Sequence, residues 1–456
     1  MNQTREEKLG TMPIPKLMLS LAIPSVVAQL INVLYNIVDR MYIGHIKDVG
    51  SVALTGVGLT FPIIMLISAF SAFVGAGGAP LAAIALGKGD RERAEKIIGN
   101  GVTVLISFSV ILTVVFMIFK EPLLFMFGAS EQTIAYANSY ITIYLIGTVF
   151  VQAALGLNPF ISSQGQAKVA MLSILIGAVI NIILDPIFIF GLHMGVRGAA
   201  LATVVSQACS AVWVVRFLTS KKSAVRIRIP MLRPDMHIIA GVMALGISPF
   251  IMQATESAIN IVLNRGLQTY GGDLYVGSMT ILQSVMQLFV IPLQGFTQGV
   301  QPIISFNFGA RKFDRVKKTY TLAIIYSIVF ATLFCILAVT CPTILAGIFT
   351  SDRELIALVG KVMPIFMSGI WIFGIQMGCQ TTFMGLGQAK ISLFLALLRK
   401  VILLIPLAII LPKFFGVIGI YYAEPISDIT SALTAGTIFL LVRNKIVSED
   451  ALKKLN

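Results

Sequence analysis

The sequence predicts an all-α, polytopic membrane protein with twelve transmembrane helices in two pseudo-symmetric six-helix bundles. Of its 456 residues, 57% are hydrophobic and only 12% are charged, whereas a soluble domain averages about 25% charged residues. Apolar runs of about 20 residues recur along the chain, which is the length that a helix needs to cross roughly 30 Å of hydrocarbon. An internal repeat divides these runs into two equal sets.

Hydropathy and the glycine-rich or charged breaks between runs place the individual spans. We predict them at 16–44, 52–84, 95–119, 133–160, 169–191, 197–218, 237–265, 275–306, 317–340, 357–383, 391–411 and 416–442. The polar N-terminus, MNQTREEKLGTMPIPK, lacks an apolar core followed by a cleavage site. We therefore expect no removable signal peptide.

The repeat is visible in short motifs that recur at the same interval. GQAK occurs at 165–168 and again at 387–390, an offset of 222 residues. The same offset places Gly87 on Gly309, and each of these glycines precedes a basic loop. Because each half holds an even number of spans, both halves have the same orientation, as in a parallel repeat with a substrate path between the lobes.

The domain organisation follows from this repeat. We expect an N-terminal six-helix lobe over residues 1–219 and a C-terminal six-helix lobe over residues 236–456. The segment SKKSAVRIRIPMLRPD, residues 220–235, is the longest polar joint and is predicted to be a cytoplasmic inter-lobe linker.

The net charge of +14 is distributed in a way that indicates membrane orientation and not nucleic-acid binding. If the N-terminus is cytoplasmic, 24 Lys and Arg residues lie in cytoplasmic segments and 8 lie outside, while Arg399 and Lys400 lie within a span. Positive residues concentrate in the cytoplasmic loops of membrane proteins. Both termini are therefore predicted to be cytoplasmic, and we expect no nucleic-acid partner.

The motifs of soluble enzymes are incomplete in this chain. VGAGGAP at 74–80 lacks the G-K-[ST] ending of a phosphate-binding loop, and GLGQAK at 385–390 follows no strand. Small residues that let helices pack closely explain both stretches. The four cysteines form no C-x-x-C pair, which argues against a disulfide framework and a zinc site. We expect neither an enzyme nor a cofactor.

Carboxylates inside the predicted spans are the strongest functional signal. An aspartate near a helix centre costs roughly 2.5–3.5 kcal/mol on insertion scales, so such residues usually face a cavity and have a function. The candidates are Asp39, Asp185, Glu256, Glu424 and Asp428.

Five oxygen-bearing side chains of the first lobe are predicted to meet at similar depth. Asp185 lies roughly 24 Å above the inner end of its span, at about 1.5 Å per helical residue. Asn181 precedes it by one helical turn on the same face. Asp39 and Asn36 lie in the outer half of the first span. Thr203 lies about 9 Å below the outer end of the sixth.

The chemistry of this group fits a coupling ion. Carboxylate, amide and hydroxyl oxygens suit a hard cation such as Na⁺. The predicted Na⁺ ligands are Asp39, Asn181, Asp185 and Thr203. Two neighbouring carboxylates also oppose each other's ionisation and can therefore retain a proton. The coupling ion is predicted to be H⁺ or Na⁺.

Structural roles are the alternatives to this interpretation. Asp185 could cap a half-helix that starts at Pro186, since proline favours the first helical position. Asp39 could pair with Arg40 or Lys47 near the outer surface. Interhelical hydrogen bonding alone is the alternative for Asn36, Asn181 and Thr203.

The second lobe does not copy this cluster, because Asp185 maps onto Leu407 at the repeat offset. The acids of this lobe are Glu256, in QATESAIN, and the pair Glu424 and Asp428, one helical turn apart in YYAEPISD. We interpret them as a substrate-attracting site or a secondary cation or proton site.

Alternative roles stay open for the acids of the second lobe and for the many methionines and phenylalanines. Glu424 and Asp428 could simply neutralise Arg399 and Lys400 in the neighbouring span. Most of the 19 methionines and 29 phenylalanines are expected at lipid-facing and core positions. Some of them could line an adaptable pocket for flat lipophilic cations.

The chain also contains four longer stretches with a recognisable pattern. They are IPSVVAQLINVLYNIVDRMYIG, AGGAPLAAIALGKGD, the GQAK repeat, and INIILDPIFIFG followed by GVRGAALAT. Together they resemble the multidrug and toxic compound extrusion (MATE) family, especially its bacterial multidrug members. The resemblance implies a V-shaped pair of six-helix bundles that alternates between inward and outward openings.

The resemblance also implies a first-lobe site for a cation or proton. In that family the site uses an aspartate of the first helix, an asparagine and an aspartate of the fifth, and a threonine of the sixth. The matching positions are Asp39, Asn181, Asp185 and Thr203, and Asn158 matches a further polar residue of that cavity.

A second-lobe site is implied only in part. Some members use a glutamate of the seventh helix and an aspartate of the tenth. Glu256 matches the glutamate, whereas the tenth span here has no acid, and Gln376 is its nearest polar candidate. The resemblance therefore favours the first lobe for ion coupling. The candidates for a substrate site or a secondary cation site are Asn36, Asn158, Glu256, Gln376, Glu424 and Asp428.

Residues and resemblance together predict a multidrug efflux antiporter of the bacterial inner (cytoplasmic) membrane, multi-pass and monomeric. Its expected partners are cationic or lipophilic small molecules and the lipid bilayer. A flippase or exporter for lipid-linked or polysaccharide precursors is the alternative. That alternative requires a cationic central cavity for anionic headgroups, whereas most basic residues here lie in loops.

Overall fold

The computed structural model describes residues 5–455, except for the side chains of residues 5, 6 and 257. Within this range the regular structure is helical. Ten of the described helices are long and apolar enough to cross a membrane alone, and two helix pairs bent by 60° and 52° bring the total to twelve spans. The predicted all-α fold with twelve spans is confirmed.

The spans are labelled α1 to α12 in chain order. The first lobe contains α1 (Ile14–Gly44), α2 (Phe61–Gly87), α3 (Arg91–Met126), α4 (Ile134–Ile146 and Thr148–Ser162), α5 (Ala167–Gly191) and α6 (Val196–Thr219). The second contains α7 (Met236–Gly271), α8 (Asp273–Gly309), α9 (Phe313–Thr340), α10 (Arg353–Phe366 and Ile370–Gly385), α11 (Ala389–Phe415) and α12 (Ile418–Ile446). Short helical segments cover Arg5–Thr11, Gly50–Gly58, Ile229–Leu232, Pro342–Gly347 and Glu449–Lys453.

With an even number of spans, both chain ends lie on one side of the bundle, which we call the termini side, and the opposite side is the far side. The segment predicted as a linker, 220–235, lies on the termini side against α3. There Arg228 Nε is 3.0 Å from Glu95 Oε2, and the Asp235 amide donates to Asn100 Oδ1 at 2.7 Å. The boundaries of the two lobes stay predictions.

The predicted start of the second span is wrong. Residues 52–84 were expected as one helix, whereas the chain forms a short helix over Gly50–Gly58 and begins α2 at Phe61. Hydropathy does not detect this break, because both pieces are apolar. Pro62 lies in the first turn of α2, where its missing N–H removes no helical hydrogen bond.

Two spans contain π-helical turns. In α5 the helix continues through Pro186 into a π-helical turn over Ile187–Gly191. In α11 a π-helical segment covers Leu398–Leu404. Such turns hold an extra residue and often occur at functional sites, and these two carry or directly follow the charged residues of their lobes.

The two lobes meet through α1 and α8, and through α2 with α7 and α8. On α8, Gly299 lies against the backbone of Ala22, so that a Cβ at this position would overlap the Ala22 Cα. Nearer the middle of the membrane, Gln29 Nε2 donates to Gln298 Oε1 at 2.9 Å across the interface. These close approaches lie between the termini side and the middle of the bundle.

An apolar cluster joins the lobes at the termini side. It contains Ile84 and Ala167 of the first lobe and Phe308 of the second. It also includes two residues from the chain ends, Leu9 and Leu452, both buried. The chain ends are therefore part of the core that connects the lobes.

Candidate functional site

A cluster of buried polar side chains lies in the first lobe, between α1 and α5. Asp185 is fully buried, with 0% of its surface exposed, Asn181 is buried beside it, and Asp39 is 8% exposed. Asn181 and Asp185 share one face of α5, and Asn181 Nδ2 donates to Asp185 Oδ1 at 3.3 Å. Asp39 reaches the same place from α1 and lies beside Asp185.

This cluster has an excess of hydrogen-bond acceptors. Asp39 Oδ1, Asn181 Oδ1 and Asp185 Oδ2 are buried and have no hydrogen-bond partner among the described residues. Ionised carboxylates and amide oxygens only accept hydrogen bonds, and a buried acceptor without a partner costs about 1–3 kcal/mol. A proton shared between the carboxyl groups, or a cation bound to these oxygens, would satisfy them.

The structural alternatives for the two aspartates do not hold in the described chain. Asp185 caps no half-helix, because α5 runs on through Pro186 without a side-chain cap. The Arg40 guanidinium lies 5.3 Å from the centre of the Phe61 ring instead of pairing with Asp39. Neither aspartate is therefore held by the partner that a structural role would require.

Thr203, on α6, lies near Tyr140, a residue of α4 that the sequence analysis missed. The first half of α4, which carries Tyr140, packs against α6, and Tyr140 also lies near Asp39 and Asp185. Tyr140 is buried. A buried tyrosine hydroxyl usually finds a polar partner, and that requirement was the available signal.

Two other predicted first-lobe residues lie outside this cluster. Asn36 is exposed, and its Nδ2 donates to the Asn32 carbonyl oxygen of its own helix at 2.6 Å. Asn158 Nδ2 donates to Ser173 Oγ at 2.6 Å and to the Ala170 carbonyl oxygen at 2.9 Å. Asn158 therefore links α4 to α5 away from the aspartates.

A cavity of about 370 Å³ lies between the lobes, mostly against the first. Its described lining has no charged side chain, and its polar wall combines serine hydroxyls with amides, the amides being Gln29, Asn32, Asn158, Gln207, Gln253, Gln298 and Gln301. One end of the cavity reaches Tyr35, one helical turn from Asp39. Two methionines, Met65 and Met171, line the described wall, without a phenylalanine.

The buried charges of the second lobe are paired with one another. In α11, Arg399 Nε is 2.7 Å from Asp428 Oδ1 and Arg399 Nη2 is 2.9 Å from Glu424 Oε1. The Arg399 guanidinium also lies 4.4 Å from the centre of the Phe373 ring. The alternative raised from the sequence, that Glu424 and Asp428 neutralise Arg399 and Lys400, holds for Arg399, whereas Lys400 has another partner.

Lys400 pairs with the third acid of this lobe. Its Nζ lies 2.7 Å from Glu256 Oε2, and Lys400 is buried while the Glu256 side chain is 52% exposed. Gln376 is separate from this pair, and its Oε1 accepts from Ser431 Oγ at 2.5 Å. The second lobe thus brings three acids together with two bases, whereas the first-lobe cluster contains two acids and no base.

No group of three or more His, Cys, Asp or Glu side chains in the described part of the chain could hold a metal ion. The first-lobe oxygens belong to two carboxylates and to neutral groups. They are hard ligands, and such a set binds metal ions only weakly. Such a set suits a proton or a monovalent ion better than a tightly bound transition metal.

The comparisons with known proteins concern both lobes. A family model described as MatE matches residues 24–187 and 249–410, one segment in each lobe and together more than half of the chain. The multidrug export protein MepA of Staphylococcus aureus (strain MSSA476) is 26% identical over 435 residues, which are 95% of this chain and 95% of MepA. MepA of Staphylococcus haemolyticus (strain JCSC1435) is 26% identical over 437 residues, 96% of this chain and 95% of that relative.

Several solved structures share the fold. A crystal structure of MATE in the bent conformation has a TM-score of 0.89 at 24% identity, over 100% of this chain and 99% of that chain. A multidrug resistance MATE family transporter in an outward-facing conformation has a TM-score of 0.86 at 24% identity, over 100% of both chains. A transporter of the MOP superfamily from Pyrococcus furiosus has a TM-score of 0.89 at 24% identity, over 99% and 100%. Its binding pocket is described as having reverse polarity that suggests a different function.

Proposed function

Because this chain belongs to the MATE family, we propose that it is a multidrug efflux antiporter that exports cationic and lipophilic compounds in exchange for H⁺ or Na⁺. Family membership makes it a transporter and not an enzyme, and such transporters need no cofactor. The relatives from the two staphylococci are multidrug export proteins, which supports drugs as substrates. One observation carries the ion coupling, namely the three buried acceptor oxygens of the first-lobe cluster that have no partner among the described residues.

The proposed coupling residues are the two aspartates together with their neutral neighbours. Two carboxylates buried side by side cannot both stay ionised at low cost. A proton between Asp39 and Asp185 would remove this conflict. If the exchanged ion is Na⁺, it would instead be coordinated by side-chain oxygens of Asp39, Asn181, Asp185 and Thr203.

The inter-lobe cavity is the proposed drug site. Its amides supply neutral oxygen acceptors, and Tyr35 connects its far end with the coupling cluster. A cationic drug in the cavity and an ion at the aspartates repel each other by about 1.7 kcal/mol if they lie roughly 10 Å apart at an effective dielectric constant of about 20. That repulsion makes each ligand weaken the binding of the other, as antiport requires.

Alternating access would use the contact between the lobes. The close approaches of α1 with α8 hold the two lobes together toward the termini side, so this arrangement suits a state that is open toward the far side. We propose that both termini are cytoplasmic, because Lys and Arg concentrate in the loops on that side. The protein would then act as a monomer in the bacterial inner membrane, with lobes over 1–219 and 236–456 joined by 220–235.

The second lobe is proposed not to bind a coupling ion in the wild-type protein. Arg399 neutralises the pair Glu424 and Asp428, and Lys400 occupies one oxygen of Glu256. Glu256 is half exposed and can still attract a cationic drug. The secondary cation role considered for Glu256, Gln376, Glu424 and Asp428 therefore becomes a role in substrate attraction and in packing.

The test is efflux from everted membrane vesicles under separately imposed proton and sodium gradients. Asp185→Asn keeps the size of the side chain but removes one charge, and we expect it to abolish gradient-driven efflux. Asp48→Asn, in the exposed loop after α1, is the matched control and should retain it. Gradient-driven efflux that is unchanged in Asp185→Asn would overturn the mechanism.

A flippase or exporter of lipid-linked or polysaccharide precursors remains the second candidate, since one structural neighbour is described as having a pocket of reverse polarity. The described cavity lining contains no basic side chain to bind an anionic headgroup. A direct comparison in proteoliposomes separates the two functions. Movement of a fluorescent anionic lipid without transport of a cationic dye would favour the flippase.

A further inference from the structure

Both ends of the described chain cross the termini side and contact the lobe to which they do not belong. The N-terminal strap, residues 5–12, precedes α1 of the first lobe and lies against α8 and α9 of the second. The C-terminal strap, residues 448–455, follows α12 of the second lobe and lies against the loop between α2 and α3 of the first.

The N-terminal strap is held by its backbone carbonyl groups. Arg315 Nη2 donates to the carbonyl oxygens of Leu9 and Met12, at 3.0 and 2.8 Å. Lys312 Nζ donates to the carbonyl oxygen of Gly10 at 2.8 Å. The last carbonyls of a helix lack intrahelical partners, and basic side chains from the second lobe satisfy them here.

The same strap also contacts the first lobe through an apolar side chain. Leu9 is 1% exposed. Its nearest side-chain carbons lie 3.2 Å from the position that a Cβ at Gly165 would occupy. Gly165, in the loop between α4 and α5, has a φ of +76°, a left-handed conformation that favours glycine. The N-terminal strap therefore fastens to both lobes.

The C-terminal strap repeats this arrangement with the lobes exchanged. Lys88 Nζ, of the first lobe, donates to the carbonyl oxygen of Leu452 at 3.2 Å, and Arg93 Nη2 donates to that of Leu455. The Leu455 side chain lies 3.0 Å from the position of a Cβ at Gly387, in the loop between α10 and α11 of the second lobe. Gly387 has a φ of +70°.

The residues that bind the straps belong to the motifs that recur in the two halves of the sequence. The donors come from the basic loops GKGDRERAEK and FGARKFDRVKK, and the glycines are the first residues of the two GQAK motifs. A merely solvated basic loop would not need the carbonyl groups of a chain end in both halves. The repeat thus provides one receptor for each end of the chain.

We propose that the two straps form a twin latch that holds the lobes together at the termini side, and that both straps must detach before the protein opens there. Each strap is covalently part of one lobe and is bound by basic side chains of the other. Separation of the lobes therefore breaks the carbonyl contacts and exposes the buried leucine. Because the straps use different residues, loss of both should multiply their separate effects.

The test measures how often the termini side opens. In a chain whose four free cysteines have been replaced, Ala76→Cys places one thiol in the inter-lobe cavity, on the middle of α2 and away from both straps. The rate of its modification by a membrane-impermeant maleimide, added only on the termini side, reports the fraction of open protein. Leu9→Ala and Leu452→Ala should each raise this rate by about fivefold or more, the lower range of typical allosteric couplings. The double variant should show roughly the product.

Matched controls separate the latch from a general loosening of the fold. Lys8→Ala and Lys454→Ala change exposed neighbours in the same straps and should leave the rate unchanged. Leu9→Met keeps the apolar volume and should restore the slow rate. If Leu9→Ala fails to fold, Arg315→Gln serves as the second variant, because it keeps Leu9 and removes the carbonyl contacts.

A modification rate that stays within twofold of the parent in the double strap variant would overturn the latch. The measurement uses neither a drug nor an ion gradient. Its failure therefore leaves the antiport proposal intact, and loss of antiport in Asp185→Asn leaves the latch intact.

Discussion

Replacement of Arg399 by glutamine should be strongly destabilising, because it leaves two buried carboxylates without their cation. Asp428 is 1% exposed and Glu424 is also buried. Arg399 lies 2.7 Å from Asp428 Oδ1 and 2.9 Å from Glu424 Oε1. Removal of one partner from a buried ion pair costs about 3–5 kcal/mol, and the lost contact with Phe373 adds about 1–2 kcal/mol.

The same reasoning predicts a rescue. Buried ion pairs replaced by well-packed apolar residues of similar volume are often neutral in their effect on stability. The triple variant Arg399→Met, Glu424→Met and Asp428→Leu should therefore lie within about 1 kcal/mol of the wild type. Arg353→Gln, an exposed base of α10, is the control and should change stability by less than about 0.5 kcal/mol.

The assay is equilibrium unfolding in mixed micelles titrated with sodium dodecyl sulfate, followed by the fluorescence of Trp213 and Trp371. A loss of less than about 1 kcal/mol in Arg399→Gln would mean that these carboxylates do not depend on the arginine. A triple variant as unstable as the single one would instead attribute the loss to packing of the arginine side chain.

Three further predictions concern other contacts. Lys400→Gln frees the carboxylate of Glu256, so the variant should bind one more monovalent cation or proton per chain than the wild type. ²²Na⁺ binding and proton release measure this number, and an unchanged stoichiometry would contradict the prediction. Tyr140→Phe removes only a hydroxyl and should weaken the apparent affinity for the coupling ion about fivefold, for a loss of about 1 kcal/mol, with drug affinity by fluorescence titration unchanged. Gly299→Val should cost about 1–3 kcal/mol of unfolding free energy by forcing α1 from α8, whereas Gly347→Val, with open space around it, should not.

The sequence predicted those parts of the site that depend on position along one helix. Asn181 and Asp185 are four residues apart, so their shared face follows from helical geometry. Asp39 was placed beside them by depth alone, and the structure brings the two carboxyl groups together. The spans themselves were predictable because each needs about 20 apolar residues.

Asn36 precedes Asp39 by three residues, and this spacing led to the wrong expectation that it joins the cluster. Three residues along a helix turn the side chain by about 300°, which leaves it roughly 60° from the residue that it was expected to join. Asn36 is turned out of the cluster by that difference and donates to its own helix. Tyr140 was missed for another reason, because the 60° bend in α4 makes depth a poor guide to position there.

The pairing in the second lobe depended on a feature that hydropathy does not record. Arg399 and Lys400 are adjacent in sequence and yet reach acids on different helices, α12 and α7. They lie in the π-helical segment Leu398–Leu404, whose wider turns change the directions of successive side chains. The sequence could therefore offer neutralisation only as an alternative.

Lys400 and Arg399 also bear on how the membrane potential acts on transport. They are tethered charges that cannot be exchanged with solution, so the second lobe would carry no ion across during a cycle. If one monovalent ion at the aspartates exchanges for one singly charged drug, no net charge crosses the membrane. The potential does about 2.3 kcal/mol of work per charge per 100 mV only on net charge movement. Efflux of a singly charged drug would then depend on the ion gradient alone, whereas efflux of a neutral drug or of a more highly charged drug would sense voltage.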